Sequence, residues 1–261
     1  MTARPTWIEA VLRHERAALA VVLIAIPLLA WAWVVALALD MYGTMQGASR
    51  WMMTPVWDGR HLLLLWAMWA VMMAGMMMPA ATPILLLYGG AARSRDDGQP
   101  AALRIYALVA GYLLIWTAFS VAITLAQRAL ARAFLLTPMM EPATPVLAAA
   151  ILFVAGVYQM LPFKRACLQT CRSPISFLTQ HWRPGIAGAF RMGVAHGLYC
   201  LGCCWALMLL LFAGGVMNLQ VILALTVWVV IEKTTRYGEQ GARIAGVVLI
   251  GVAGWMLLAG P

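Results

Sequence analysis

The chain has 261 residues, of which 64% are hydrophobic and 10% charged, and its formal net charge is +9. Several apolar runs approach the roughly 20 residues of a membrane-crossing helix, which excludes a water-soluble globule and predicts a polytopic α-helical membrane protein. The positive balance reads as topology and contact with anionic lipid headgroups, and no nucleic acid is needed to explain it.

Seven transmembrane helices are expected, at about 18–39, 62–83, 104–126, 145–162, 189–213, 218–235 and 243–259, forming one all-α domain over residues 1–261. Glu232 and Lys233 truncate the sixth. If the N-terminus is cytoplasmic, thirteen basic residues share its side: Arg4, Arg13 and Arg16, then Arg93, Arg95 and Arg104, then Lys164, Arg165, Arg172 and Arg183, then Lys233, Arg236 and Arg243. Arg50, Arg60, Arg128 and Arg132 fall on the other side, and Arg191 sits at the inner end of the fifth span. This bias predicts a cytoplasmic N-terminus and a periplasmic C-terminus.

The first run has signal-peptide features, with Arg13 and Arg16 before it and Ala36-Leu-Ala38 near its end. Its apolar core of about 22 residues exceeds the roughly 7 to 15 of a signal peptide, so a retained span is expected. The connection 40–61 then crowds Asp40, Met41, Met45, Met52, Met53, Asp58 and His61 together. Asp58 and His61 are three apart and share a face if the second span begins there. The favoured reading is an interfacial loop anchored by Trp51 and Trp57, with a weak metal-collecting site as the alternative.

In the second span Met68, Met72 and Met76 are successive i, i+4 neighbours, with Met73 and Met77 beside them and Pro79 just beyond. Thioethers are soft, neutral donors suited to Cu(I), and they are also flexible packing material. Taken alone the stripe reads as core or lipid-facing. Depth draws it toward the fifth span, because Met72 to Met77 occupy the inner half, while His196 and Cys200 lie roughly 8 and 14 Å beyond Arg191.

Gln159 and Met160 close the fourth span ahead of Pro162 and add polar lining there. The cytoplasmic connection 163–188 contains Lys164-Arg-Ala-Cys167-Leu-Gln-Thr-Cys171-Arg-Ser-Pro174. On a short helix ended by Pro174, Cys167 and Cys171 share a face and could hold one ion. Lys164, Arg165 and Arg172 favour the thiolate, the form that binds metals, and a reducing compartment argues against a structural disulfide. The alternative is a pair of small residues packing an amphipathic interfacial helix.

The fifth span carries His196-Gly-Leu-Tyr-Cys200-Leu-Gly-Cys203-Cys204. Helical spacing gathers that imidazole and three thiols into an arc of about 100°. Met192 and Met208 border the arc, and Gly193 and Gly197 within it let another helix approach closely. In the sixth span Glu232, at membrane depth, calls for a partner: Lys233 or Arg191 in an ion pair, or a metal or proton.

Four segments carry a resemblance: Met72-Met-Ala-Gly-Met-Met-Met-Pro79, Lys164 to Pro174, Gly188-Ala-Phe-Arg-Met-Gly-Val-Ala-His-Gly-Leu-Tyr-Cys-Leu-Gly-Cys-Cys-Trp205, and Glu232-Lys233. They resemble the hallmark segments of a bacterial family of predicted metal-binding integral membrane proteins of unknown function. The resemblance spans about residues 60–255 and implies an inner-membrane location and a bound metal.

Thiolates and imidazole suit Zn(II) as well as Cu(I). Several thiolates in lipid leave negative charge that protonation or an inner cation must offset, whereas methionine adds none. The methionine ribbon therefore favours copper over zinc or iron. The expected metal ligands are His196, Cys200, Cys203, Cys204, Met72, Met76, Cys167, Cys171 and Glu232. The leading function is Cu(I) uptake, transfer or storage, with membrane lipid, the metal ion and a cytoplasmic or periplasmic metal carrier or partner subunit as partners. A membrane metalloenzyme or thiol redox subunit, oxidase-like or quinone-linked, is the alternative, and a structural protein whose cysteines only pack is the third class. The absence of a Walker motif and of a phosphorylation aspartate argues against an ATP-driven pump.

Overall fold

The computed structural model describes residues 15–43, 45–53, 57–94, 99–137 and 139–258. Arg4, Arg13 and Arg95 of the charge pattern, and position 259 of the last expected span, lie outside them. The described residues form α1 (Glu15–Tyr42), α2 (Ala48–Met52), α3 (Gly59–Ser94), α4 (Ala101–Arg132), α5 (Pro145–Met160), α6 (Pro162–Arg172), α7 (Pro174–His181), α8 (Gly185–Gly214), α9 (Leu219–Thr234) and α10 (Gly238–Leu258). Among them the β pairing is limited to one bridge between Leu136 and Pro142.

Five helices, α1, α3, α4, α8 and α10, are long and apolar enough to cross a bilayer. Large apolar side chains such as Leu28, Leu63, Leu114, Phe153 and Val247 cover the outer face, an arrangement compatible with a multi-pass membrane protein. The fourth expected span is broken. Pro162 forces Leu161 into an extended conformation (ψ 142), and α6 leaves α5 at 65°. If that bent pair counts as one crossing the number rises to six. Helix α9, the sixth expected span, has 16 residues, about 24 Å, and falls short of the roughly 20 needed for a straight crossing.

Helix directions follow from which ends meet. Gln159 and Met160 of α5 line one small cavity with Ala242 and Arg243 of α10, so both helices place those ends at what we term the lower end of the bundle, with α6. Pro145 of α5, Gly214 of α8 and Met256 of α10 line another cavity at the upper end. Helix α8 stops there because Gly215 adopts φ +90, the left-handed conformation a glycine takes without strain, and the Asn218 side chain then caps α9 by accepting from Gln220 N at 3.0 Å.

Glycines set the tightest seam. A Cβ on Gly193 of α8 would fall onto the Leu108 carbonyl of α4, and one on Gly197 would meet Ile115 at 3.0 Å, so the close approach expected at these two glycines is made by α4. In α3, Pro79 has no N–H to offer the carbonyl four residues back. That carbonyl, on Gly75, accepts instead from Trp31 Nε1 of α1 at 3.2 Å.

Candidate metal centre

Helix lengths decide where the site forms. Helices α3, α4 and α8 run 36, 32 and 30 residues, whereas α5 and α9 run 16 each. The short helices therefore end partway down the long ones, level with Cys200 to Cys204, and α6 crosses beneath them. Tyr158 near the end of α5 donates its hydroxyl to the Gly202 carbonyl, and Lys233 near the end of α9 reaches Cys200.

All five cysteines are drawn to this level, and all carry free thiols. Cys203 Sγ lies 3.3 Å from Cys204 Sγ and 4.0 Å from Cys171 Sγ of α6. Cys167, one turn before Cys171, packs where a Cβ on Gly202 would meet its sulfur at 2.8 Å. The thiol pair of α6 and the three thiols of α8, expected at separate depths, thus share one locality. Signals for this lay in the sequence, in the Pro162 bend that folds α6 back and in Gly202, which leaves it room.

Two neighbours of the thiols lie outside the expected ligand set: Lys233, expected beside Glu232, and Tyr112, which the sequence did not point to. Lys233 Nζ donates to Cys200 Sγ at 2.8 Å from a buried position, which puts a cation beside the clustered thiols. Tyr112 of α4 places its hydroxyl 3.0 Å from Cys200 Sγ and donates to the Met77 carbonyl at 3.0 Å. Its ring also stacks on His196, with centroids 5.7 Å apart. The imidazole, edge-on to Phe177 of α7 at 5.3 Å, leaves Nδ1 buried with no hydrogen-bond partner. One helical turn and the Tyr112 ring therefore stand between His196 and the thiols, and the four-donor arc does not close into one shell. Among the described residues, no group of three or more His, Cys, Asp or Glu side chains is arranged to hold a metal ion. What the site offers is sulfur pairs.

Glu232 is placed differently from both ion pairs expected for it. Its partner is neither Lys233, which turns to Cys200, nor Arg191, but Lys164, whose Nζ lies 2.9 Å from both carboxylate oxygens in a fully buried pair. Gln159 Nε2 and Trp228 Nε1 donate to the same carboxylate at 3.3 and 3.0 Å. Nearer the surface Arg165 Nε and Gln169 Nε2 donate to Glu239 at 2.8 and 3.0 Å, and Arg172 reaches the Thr235 carbonyl at 2.6 Å. The polar side of α6 is thereby fastened to the α9–α10 corner, and its cysteines face α8.

Met68, Met72, Met73, Met76 and Met77 are all buried. The ribbon faces the bundle interior, and Tyr112 links its lower end to Cys200. At the upper end Asp40 is occupied by its own loop, accepting from Gln46 N and Gly47 N at 3.1 Å, and Asp58 accepts from His61 N at 2.7 Å as the cap of α3.

A family model described as PpoB2: Copper chaperone matches residues 66–256. The chain belongs to this family. No curated protein and no solved structure matches it. Membership in the copper chaperone family supports a copper-related function, and the matched stretch takes in the methionine ribbon and every cysteine.

Proposed function

We propose that this copper chaperone family member is an inner-membrane protein whose chain passes seven times, with α5 and α9 as short passes completed by the segments that follow them, N-terminus cytoplasmic and C-terminus periplasmic, and that it receives Cu(I) and passes it through buried sulfur pairs. The ion is cargo. One observation carries the reading: thiols from α6 and α8 meet at Cys203, with the Lys233 ammonium beside the cluster. Metal–thiolate bonds of about 2.3 Å allow one ion to join sulfurs up to about 4.6 Å apart. The 4.0 Å between Cys171 and Cys203 lies within that reach. Cu(I) accepts such low-coordinate sulfur sites, whereas Zn(II) asks for four donors. Two thiolates around a monovalent ion carry one net negative charge, which Lys233 offsets in a region of low dielectric.

Cys200, Cys203, Cys204 and Cys171 form the holding site in this scheme. Cys167 backs it, His196 lies one turn away as a further donor, and Met72 and Met76 belong to the route of approach. Glu232 serves to hold Lys164 and α6 in place and is not assigned to the ion. A metal carrier or partner subunit takes the ion at the lower end, where α6 carries Cys171 to the edge of the cluster.

Elemental analysis of detergent-purified protein loaded with Cu(I) tests this. Wild type is expected to retain copper near stoichiometrically. Cys203→Ser, which removes the sulfur shared by both helices, is expected to lower retention about tenfold at equal expression, in line with ligand-shell losses elsewhere. Unchanged copper content in Cys203→Ser and Cys200→Ser overturns the proposal.

A further inference from the structure

At the upper end, opposite the thiols, lies a cavity of about 630 Å³ between the α2–α3 connection and the end of α4. Met52, Met140, His61 and Gln127 are buried in its wall, Met53 is half-buried, and Arg132 stands exposed at the rim. Three thioethers and an imidazole from three separate segments therefore border one space.

The imidazole is oriented. His61 Nδ1 lies 3.1 Å from the Trp51 carbonyl oxygen, which can only accept, so Nδ1 bears the proton and the lone pair resides on Nε2. Metal-binding histidines are held in just this way, by a hydrogen bond from the other ring nitrogen. Trp57 packs on the ring at 4.7 Å, and the Arg60 guanidinium covers Trp51 at 4.0 Å, which fixes the carbonyl in turn.

The cavity wall also touches the helix that carries the ribbon, through Gln127. Gln127 accepts from Trp69 Nε1 at 2.7 Å, and Trp69 sits between Met68 and Met72 on α3. From His61 to Met77, at the level of the thiols, α3 descends about 24 Å. All of the ribbon's methionines along that descent are buried.

We infer that this vestibule is a second soft-metal site, in which Met52, Met53, Met140 and His61 collect a monovalent soft cation, Cu(I), at the entrance to the methionine ribbon. The inference deepens the proposed copper role and rests on it for the identity of the cargo. Neutral donors leave the bound ion its full charge, and the Arg132 guanidinium at the rim repels a divalent ion more than a monovalent one. Thioethers select the same soft ion.

The test uses Ag(I), a redox-inert stand-in for Cu(I), on the full-length protein in detergent, with bound metal counted by mass spectrometry after desalting. Met52→Leu/Met140→Leu nearly conserves volume, so it leaves the fold intact. It is expected to lose about one equivalent of Ag(I) in two backgrounds, the wild type and a variant lacking the thiols of Cys171, Cys200, Cys203 and Cys204. In the thiol-free background, X-ray absorption is expected to report thioether and imidazole ligands, the latter lost in His61→Gln. Equal Ag(I) content with and without Met52→Leu/Met140→Leu in both backgrounds overturns the vestibule site and leaves the thiol site standing. Equal content with and without the thiols, while the methionine change still removes an equivalent, overturns the thiol site instead.

Discussion

Lys233 and Lys164 are two buried lysines with opposite assignments. Lys164 completes a fully buried pair with Glu232, so removing one member leaves an uncompensated charge. Lys164→Met is expected to destabilise the protein by about 3–5 kcal/mol, and Lys164→Met/Glu232→Gln to recover most of the loss. Thermal unfolding in detergent, followed by tryptophan fluorescence, checks both. Lys233 faces sulfur, and its effect belongs to the cargo. Lys233→Met is expected to cut Cu(I) retention at least as deeply as loss of one thiol, with Lys233→Arg retaining part of it. Retention equal to wild type in Lys233→Met would detach the ammonium from the site. Tyr112→Phe removes the hydroxyl that joins the Met77 carbonyl to Cys200, at a cost of about 1 kcal/mol.

Elements explain why these side chains meet. Helix α8 lies against α4 at Gly193 and Gly111, where any Cβ would strike the facing backbone. Gly193→Val is expected to abolish the monodisperse peak on size exclusion, while Gly251→Val, on a face of α10 with open space, leaves it unchanged. The His196–Cys204 motif and the glycine face were legible from helical period alone, because both depend on residues within one helix. Convergence of α6 on α8, with Cys171 at Cys203 and Cys167 at Gly202, was signalled in the sequence only by Pro162 and Gly202 and could not be read from one helix alone. It requires α5 and α9 to be one turn or more shorter than a full crossing, and the 65° turn after Leu161 to carry α6 beneath them. The partner of Glu232 was missed for the same reason. Lys164 lies 68 positions away in sequence, and only that bend brings the two together.

At the scale of the whole molecule, long helices make a scaffold and short ones leave a shelf inside it. The methionines run down one helix to that shelf from Met68, about two turns below the upper cavity, so a soft ion travelling this route would meet thioethers before thiolates. Reporter fusions check the polarity assigned to the route. A fusion active only outside the cytoplasm is expected to work at the C-terminus, and a cytoplasm-restricted one to fail there; the opposite pattern would invert the direction of passage.

Five of the basic residues in the charge bias that predicts orientation are occupied once the chain has folded. Lys164 pairs with Glu232, Lys233 turns to Cys200, Arg104 donates to the Ala92 carbonyl, and Arg165 and Arg172 both engage Glu239. Before folding those partners are not yet in place, and each cation would then act by the positive-inside bias alone. The same side chains would thus act at two moments, first as anchors for a nascent segment and later as rivets. A neutral substitution at Arg172 is accordingly expected to create two separable populations of faulty protein, one facing the wrong way and one facing the right way with α6 loose, which protease accessibility in membranes distinguishes.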